Sequence, residues 1–385
     1  MIIFIFIFLF ITQICAYAYA DIPHINVLLG QKLSQVTLKG QDLKKKIIAN
    51  NSTSQQDGFS TFSFNCGYSP STNVKSSAGF LKDKIMLASV SSPTGYVSWQ
   101  NRDYQGDFVV TASLQEQKCD LIQRLPLESY ISSLLAKEMN GSWSIEALKA
   151  QAVLARSYAL LKKKQGTFMA EDFYHLTASE KDQVAGALLD KTQKTTQASR
   201  ETQGEVLVTD KGSLASVFFH SQCGGKTLKP EYVWQNKVEG YQSVPCPRCH
   251  ENKSSKWSYS LAEKDFITTL KNVYQTKGSL LLLNASHVFF IPDRTDNALM
   301  RFYDDEKNMK VMQKAWLRSY LGRKNLKSNY FKVSKREGRI FFEGKGLGHG
   351  VGMCQMGALS FAKKGWNYHK ILSYYFPNYK IKKVY

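Results

Sequence analysis

The sequence predicts an α+β fold: a smaller β-rich N-terminal domain, then a larger domain of mixed helices and antiparallel sheet built around a cleft. Three observations predict it. Residues 21–120 alternate short apolar runs with Gly, Ser, Asn and Asp, the pattern of strands joined by turns. Residues 121–165 change to helical periodicity. Strand-like runs return after residue 205, and an aromatic-rich helical tail closes the chain. The expected division is a signal at 1–20, a β-rich domain at 21–118 and a larger α+β domain at 119–385, each domain long enough to bury a core.

The first 20 residues, MIIFIFIFLFITQICAYAYA, carry no charged side chain, and Ala18-Tyr19-Ala20 offers a small-x-small cleavage site before Asp21. This reads as an export signal, so the expected location is the periplasm or cell envelope. No Lys or Arg precedes the apolar run, and an uncleaved segment would tether the chain to a membrane. Ile14 stands where a lipid-modified Cys15 requires a small residue, which disfavours a lipoprotein. Strands are expected at Ile25–Leu29, Lys84–Ala88, Tyr96–Trp99 and Phe108–Thr111.

Leu125-Pro126-Leu127 marks a helix entry, since proline suits a first turn. Leu127, Tyr130, Ile131, Leu134 and Leu135 then form one apolar stripe at i, i+3, i+4, i+7 and i+8. Glu138 continues that stripe, whereas Glu128 and Lys137 point away. A carboxyl group held against apolar side chains loses hydration and keeps its proton more tightly, which suits a general acid. At a fraying helix end the same residue would simply reach water. Asn140-Gly141 ends the helix, and Ser144 opens a second, Ile145–Lys164, whose Ala147, Ala150, Ala152, Ala155 and Ala159 permit close packing. Strands follow at Glu205–Val208 and Ser216–His220. The stretch 250–340 is mixed and carries no clear signal.

Lys and Arg number 51 against 31 Asp and Glu, a formal charge of +20. That excess favours a polyanionic partner. The basic residues are scattered and no zinc-finger or recognition-helix spacing accompanies them, so nucleic acid is not expected. Six cysteines follow the signal: Cys66, Cys119, Cys223, Cys246, Cys249 and Cys354. Disulfides, free thiols and zinc all remain open. A structural zinc at Cys246 and Cys249, with His220 and Cys223 in support, is one option, but a single C-x-x-C is a weak pattern and no metal is assigned.

Four segments carry a resemblance when taken in order: LPLESYI…AKEM at 125–139, EALKAQAVLARSYAL at 146–160, FHSQCGGKT at 219–227 and GLGHGVGMCQMGA at 346–358. Together with the closing GWNYHKIL at 365–372 they resemble the SpoIID/LytB family of exported proteins that act on cell-wall peptidoglycan. The resemblance spans about residues 120–385. It implies a lytic transglycosylase that cuts between N-acetylmuramic acid and N-acetylglucosamine and leaves a 1,6-anhydro end. The family's catalytic glutamate corresponds to Glu138. No cofactor is required for that chemistry. The second reading the resemblance implies is a LytB-type, non-catalytic wall-binding protein that stimulates a cell-wall amidase. A zinc amidase built on the cysteine–histidine cluster ranks third, since an open three-ligand pattern is missing. Some family members hold zinc through cysteines in the stretch after the catalytic helices. The corresponding Phe173–Gln183 has none here, so that site is not expected.

Around Glu138, the substrate-binding candidates are Arg156, Gln151, His220, Ser221, His349 and Gln355. Arg156 either grips a sugar carboxylate or orients Glu138, or it forms a structural ion pair. Glycines at 344, 346, 348, 350 and 352 would clear one face of an extended chain for a sugar ring or another backbone, with His349 on the opposite face. The tail aromatics Trp366, Tyr368, Tyr374, Tyr375 and Phe376 are expected in the core.

Overall fold

The computed structural model describes residues 22–49, 52–66, 80–81, 84–113, 115–169, 173–178, 191–234, 236–246, 255–276, 285–291 and 298–385. The export signal expected at residues 1–20 lies outside them. Among the described residues no helix is long and apolar enough to cross a membrane.

The fold is α+β. Its front is one ten-stranded sheet. In spatial order the path runs Leu176–Thr177, His24–Leu33, Cys119–Pro126, Asp107–Ser113, Lys84–Ser91, Gln35–Ala49, Tyr96–Trp99 and Arg102–Gln105. Ser52–Asn65 and Phe80–Leu81 attach to the side of it. All pairings are antiparallel except that of Leu176–Thr177 with the first strand. Val36, Leu38, Leu43, Val90, Val97, Phe108, Val110 and Leu121 alternate along their strands and form the core of this layer. Asp107–Ser113 and Cys119–Pro126 pair directly, so the regions before and after residue 118 share one sheet.

Cys66 and Cys119 form a disulfide across 53 residues of sequence. Closing a loop of that length removes denatured-state entropy worth about 4 kcal/mol. Reduction, or replacement of both cysteines by serine, is therefore expected to lower the unfolding free energy by about that amount. A denaturant titration with and without reductant checks it, and coincident curves would rule it out.

The strand Cys119–Pro126 runs straight into helix α1, Leu127–Glu138. The Leu127 N–H donates to Pro23 O at 2.7 Å, which fixes the helix start on the sheet edge. The predicted stripe of Leu127, Tyr130, Ile131, Leu134 and Leu135 is buried. Helix α2, Ile145–Met169, packs on it, and the five alanines of its inner face are fully buried. Around this pair lie α3 (Gln193–Glu201), the strands Glu205–Val208 and Lys380–Lys383, α4 (Glu231–Trp234) and the tail helices. A second unit with its own core occupies residues 255–345, centred on Trp257, Phe266, Leu270, Phe302, Leu317, Phe331 and Phe342. It holds α5 (Glu263–Thr276), α6 (Lys314–Leu321) and two three-stranded sheets. The tail folds as α7 (Gln355–Lys363) and α8 (Tyr368–Tyr375). Tyr375 and Phe376 are buried in the helical core, with Trp366, Tyr368 and Tyr374 packed against it.

Candidate active site

Glu138 is the final residue of α1. The helix stops because Met139 turns extended (φ −136°, ψ 153°) while its N–H still caps Leu135 O at 2.9 Å. The Asn140 side chain then accepts from both the N–H and the hydroxyl of Ser142, at 2.9 and 2.7 Å, closing the turn that leads into α2. These constraints hold Glu138 half-buried on the wall of a cleft of about 840 Å³.

The remaining walls come from three directions. Helix α2 contributes Tyr158. The segment after residue 215 and the region of α4 contribute Phe218, Phe219, Val233 and Trp234. The 255–345 unit contributes Arg318, Arg323 and Asn329. Trp234 packs on Phe218 with ring centroids 4.6 Å apart and on His349 at 5.0 Å, yet stays 40% exposed. Arg318 is held from behind: its Nε donates to Leu326 O at 2.8 Å and its Nη2 to Lys327 O at 3.2 Å. The Glu138 carboxyl thus shares a furrow with aromatic faces and the guanidinium groups of Arg318 and Arg323, a lining suited to a sugar polymer with anionic substituents. Among the described residues that line the cleft, Glu138 is the only acidic one. A separate cavity of about 700 Å³, beside Phe289, Phe290 and Lys335, contains none of the expected site residues.

His349 lines the cleft. Its Nε2 donates to Phe219 O at 2.9 Å and its Nδ1 accepts from the Val351 N–H at 3.1 Å. The ring is therefore neutral. Burial and the neighbouring His220 push its pKa down to about 3. His349 braces Trp234 and Phe219 and carries no titrating proton near neutral pH.

Several expected ligands of the substrate lie elsewhere. Arg156 is fully buried and faces away from the cleft. Its Nε and Nη2 grip the two carboxylate oxygens of Glu128 at 2.8 and 2.7 Å, and its Nη1 donates to Glu205 O at 3.0 Å. This is the structural ion pair: Glu128 stands off the apolar stripe of α1, as expected, and its carboxylate turns toward Arg156 of α2. Gln151 is fully buried and cannot meet a polymer. His220 and Gln355 are buried behind the cleft wall. Ser221 is half-buried and is not among the cleft-lining residues; its backbone carbonyl accepts from the Met356 N–H at 3.1 Å. Cys246 Sγ sits against the Tyr375 hydroxyl at 3.2 Å, while Cys249 lies outside the described residues.

The glycine run is not a plain extended strand. Gly344 ends the strand Arg339–Lys345, but Gly346, Gly348, Gly350 and Gly352 all have positive φ, between 74° and 109°. The run threads between residues 218–228 and 327–330, exchanging backbone hydrogen bonds with Gln222, Leu228 and Lys327. A Cβ on Gly352 would lie 2.0 Å from Phe218 O, and one on Gly346 would lie 2.5 Å from Gln222 O. The close approach is thus backbone to backbone, and it sets the position of Phe218 and Phe219. Gly352→Ala combines that clash with a left-handed φ, and is expected to lower stability on the order of 3 kcal/mol. Thermal unfolding of the purified variant checks this, and an unchanged midpoint would refute it.

Tyr158 and Trp234 fall within or beside motifs the sequence displays. Arg318, Arg323 and Asn329 come from the stretch without pattern, and no sequence signal points to them.

Comparison with known proteins adds the following. The SpoIID family, described as stage II sporulation protein, matches residues 115–208, which include α1 and α2. The chain is 30% identical over 257 residues to an uncharacterized protein of Brachyspira hyodysenteriae, covering 66% of each chain. It is 29% identical over 272 residues to stage II sporulation protein D of Bacillus subtilis, covering 68% of this chain and 75% of that one. Similarity to the amidase enhancer of Bacillus subtilis is 28% over 288 residues, covering 64% of this chain but only 39% of the enhancer.

Proposed function

The chain belongs to the SpoIID/LytB family, and from that premise we propose that it cuts peptidoglycan glycan strands as a lytic transglycosylase with Glu138 as sole acid and base. The observation that carries the reading is that Glu138 supplies the single carboxyl among the described residues lining the cleft. A hydrolase needs two carboxyl groups, one for the leaving oxygen and one for water or the sugar carbon. One suffices when the substrate supplies its own nucleophile. Glu138 gives its proton to the glycosidic oxygen as the bond from muramic C1 to that oxygen breaks. The C6 hydroxyl oxygen of the same residue bonds to C1, and the Glu138 carboxylate takes the hydroxyl proton. The group returns to its starting state and no water is consumed. Arg318 and Arg323 supply the charge for lactyl or stem-peptide carboxylates, and Trp234 supplies a face for a sugar ring.

Likeness to an amidase enhancer favours a second reading, in which the cleft binds glycan without cutting it. Digestion of purified glycan strands, with products identified by mass spectrometry, separates the two. Anhydro-muramic ends are the expected product. Intact strands, with faster stem-peptide release once an amidase is added, would establish the second reading instead.

A further inference from the structure

Behind the cleft wall lies a cluster that the proposed reaction does not use. His220, Cys223 and Cys354 are buried, at 4%, 3% and 0% exposure, and their ligand-capable atoms all lie within 4.8 Å of one another. Neither cysteine is disulfide-bonded. We propose that these three side chains bind a zinc-class divalent metal ion that fastens the cleft wall from behind.

The fold makes the cluster by register. Phe219–His220 pairs in parallel with Met353–Cys354, and His220 is the direct partner of Cys354. Partnered residues of adjacent strands project to the same face, so the imidazole and the thiol meet. Cys223, three residues beyond His220, turns back into the same space. A tetrahedral ion with bonds of about 2.3 Å to sulfur and 2.0–2.1 Å to nitrogen holds its ligand atoms roughly 3.4–3.8 Å apart. The site therefore has to contract by no more than about 1.4 Å, a side-chain rotation.

Two independent features prepare these groups as ligands. Each cysteine sulfur accepts a backbone N–H at 3.3 Å: Cys223 from Gly225, and Cys354 from Gly357. Cys354 is also the N-cap of α7, where the helix dipole favours negative charge. Both arrangements stabilise thiolates. His220 Nδ1 donates to Val351 O at 3.0 Å, which assigns its proton and leaves Nε2 with the lone pair in the neutral ring. A ligand histidine that donates its other ring N–H to a carbonyl is the usual outer-shell arrangement of metal sites. Two thiolates and an imidazole select zinc or similarly soft ions over magnesium or calcium.

The location states the role. His220 and His349 lie with ring centroids 5.5 Å apart, and His349 bears on Trp234. Phe219, next to His220, lines the cleft. A metal here would join the strand carrying Phe219 to the start of α7. The cluster keeps His220 and Cys223 from the zinc option read in the sequence and replaces Cys246 and Cys249 with Cys354; the family's zinc, in the stretch after the catalytic helices, uses other residues.

The test uses the full chain purified without a histidine tag, loaded with zinc, desalted and measured for metal. One equivalent per chain is expected, and C223S and C354S should each lose it. Because either variant could misfold, the wild type is also loaded with cobalt, where thiolate-to-cobalt charge-transfer absorption and a tetrahedral visible spectrum are expected. Zinc should also protect Cys223 and Cys354 from alkylation. A metal-free wild type after loading overturns the proposal, as does a mapped Cys223–Cys354 disulfide or zinc retained by both variants. None of these readouts depends on glycan cleavage, so failure of the metal site is distinguishable from failure of the transglycosylase reading.

Discussion

Glu138→Gln is expected to reduce the rate of glycan cleavage by about 10²–10⁴-fold, the range associated with losing a positioned general acid–base group. The substitution keeps the shape and hydrogen-bonding reach of the side chain but removes its titrating proton. Glu138 is half-buried at a helix end that is already closed by Met139 and Asn140. Stability should therefore change by no more than about 0.5 kcal/mol. Binding of glycan strands should persist, since the aromatic and cationic walls are untouched. Loss of turnover with retained binding and an unchanged melting curve is the expected combination. Glu138→Asp should also be impaired, because shortening the side chain withdraws the carboxyl from a reaction sensitive to displacements of about 1 Å. His349 offers no rescue, being neutral and hydrogen-bonded through both ring nitrogens. A Glu138→Gln protein that forms anhydro ends at the wild-type rate would remove the chemical basis of the proposal.

The sequence disclosed local structure well and long-range partnership poorly, for a physical reason. Periodicity is a property of neighbours along the chain, so α1, α2 and strands such as Tyr96–Trp99 follow from it directly. Periodicity also put Glu138 at the end of the apolar stripe, but it left a fraying helix end open, and the expectation of a cleft came only from the family resemblance. The role of Arg156 was not legible. Whether it faces substrate or Glu128 depends on how α1 and α2 cross, and Glu128 is 28 residues away. The pattern of alternate glycines signalled close approach but concealed positive φ, which no side-chain spacing records. Arg318 and Arg323 were invisible because their unit folds around its own core and reaches the cleft only through tertiary packing. Cysteine counting allowed a disulfide without choosing Cys66–Cys119, because pairing depends on which strands the fold brings together.

Arg156→Met is expected to lower stability by about 3–5 kcal/mol, the cost of breaking a buried pair by removing one partner. The guanidinium is fully buried, and the Glu128 carboxylate it clamps also receives hydrogen bonds from Ser199 at 2.7 Å and from the Tyr385 hydroxyl. The cluster joins α1, α2, α3, the Glu205–Val208 strand and Tyr385 at one point. Removing the cation leaves a largely buried carboxylate without its main compensation. In the intact protein, burial acts to raise the Glu128 pKa, but the hydrogen bonds and charge of Arg156, with Tyr385 and Ser199, outweigh it and hold the group below its ordinary value of 4.5. A carboxyl group lowered by folding contributes stability above its unfolded pKa and loses that contribution as pH falls through the folded value. Wild-type stability should therefore decline below about pH 4.5, and Arg156→Met should lack that component of the decline. If Arg156 instead held substrate, the variant would melt normally and show a raised KM. A melting midpoint lowered by roughly 10 °C, with partial recovery when Glu128→Leu is added, is the result a structural pair requires. An unchanged midpoint together with weakened glycan binding would return Arg156 to the cleft.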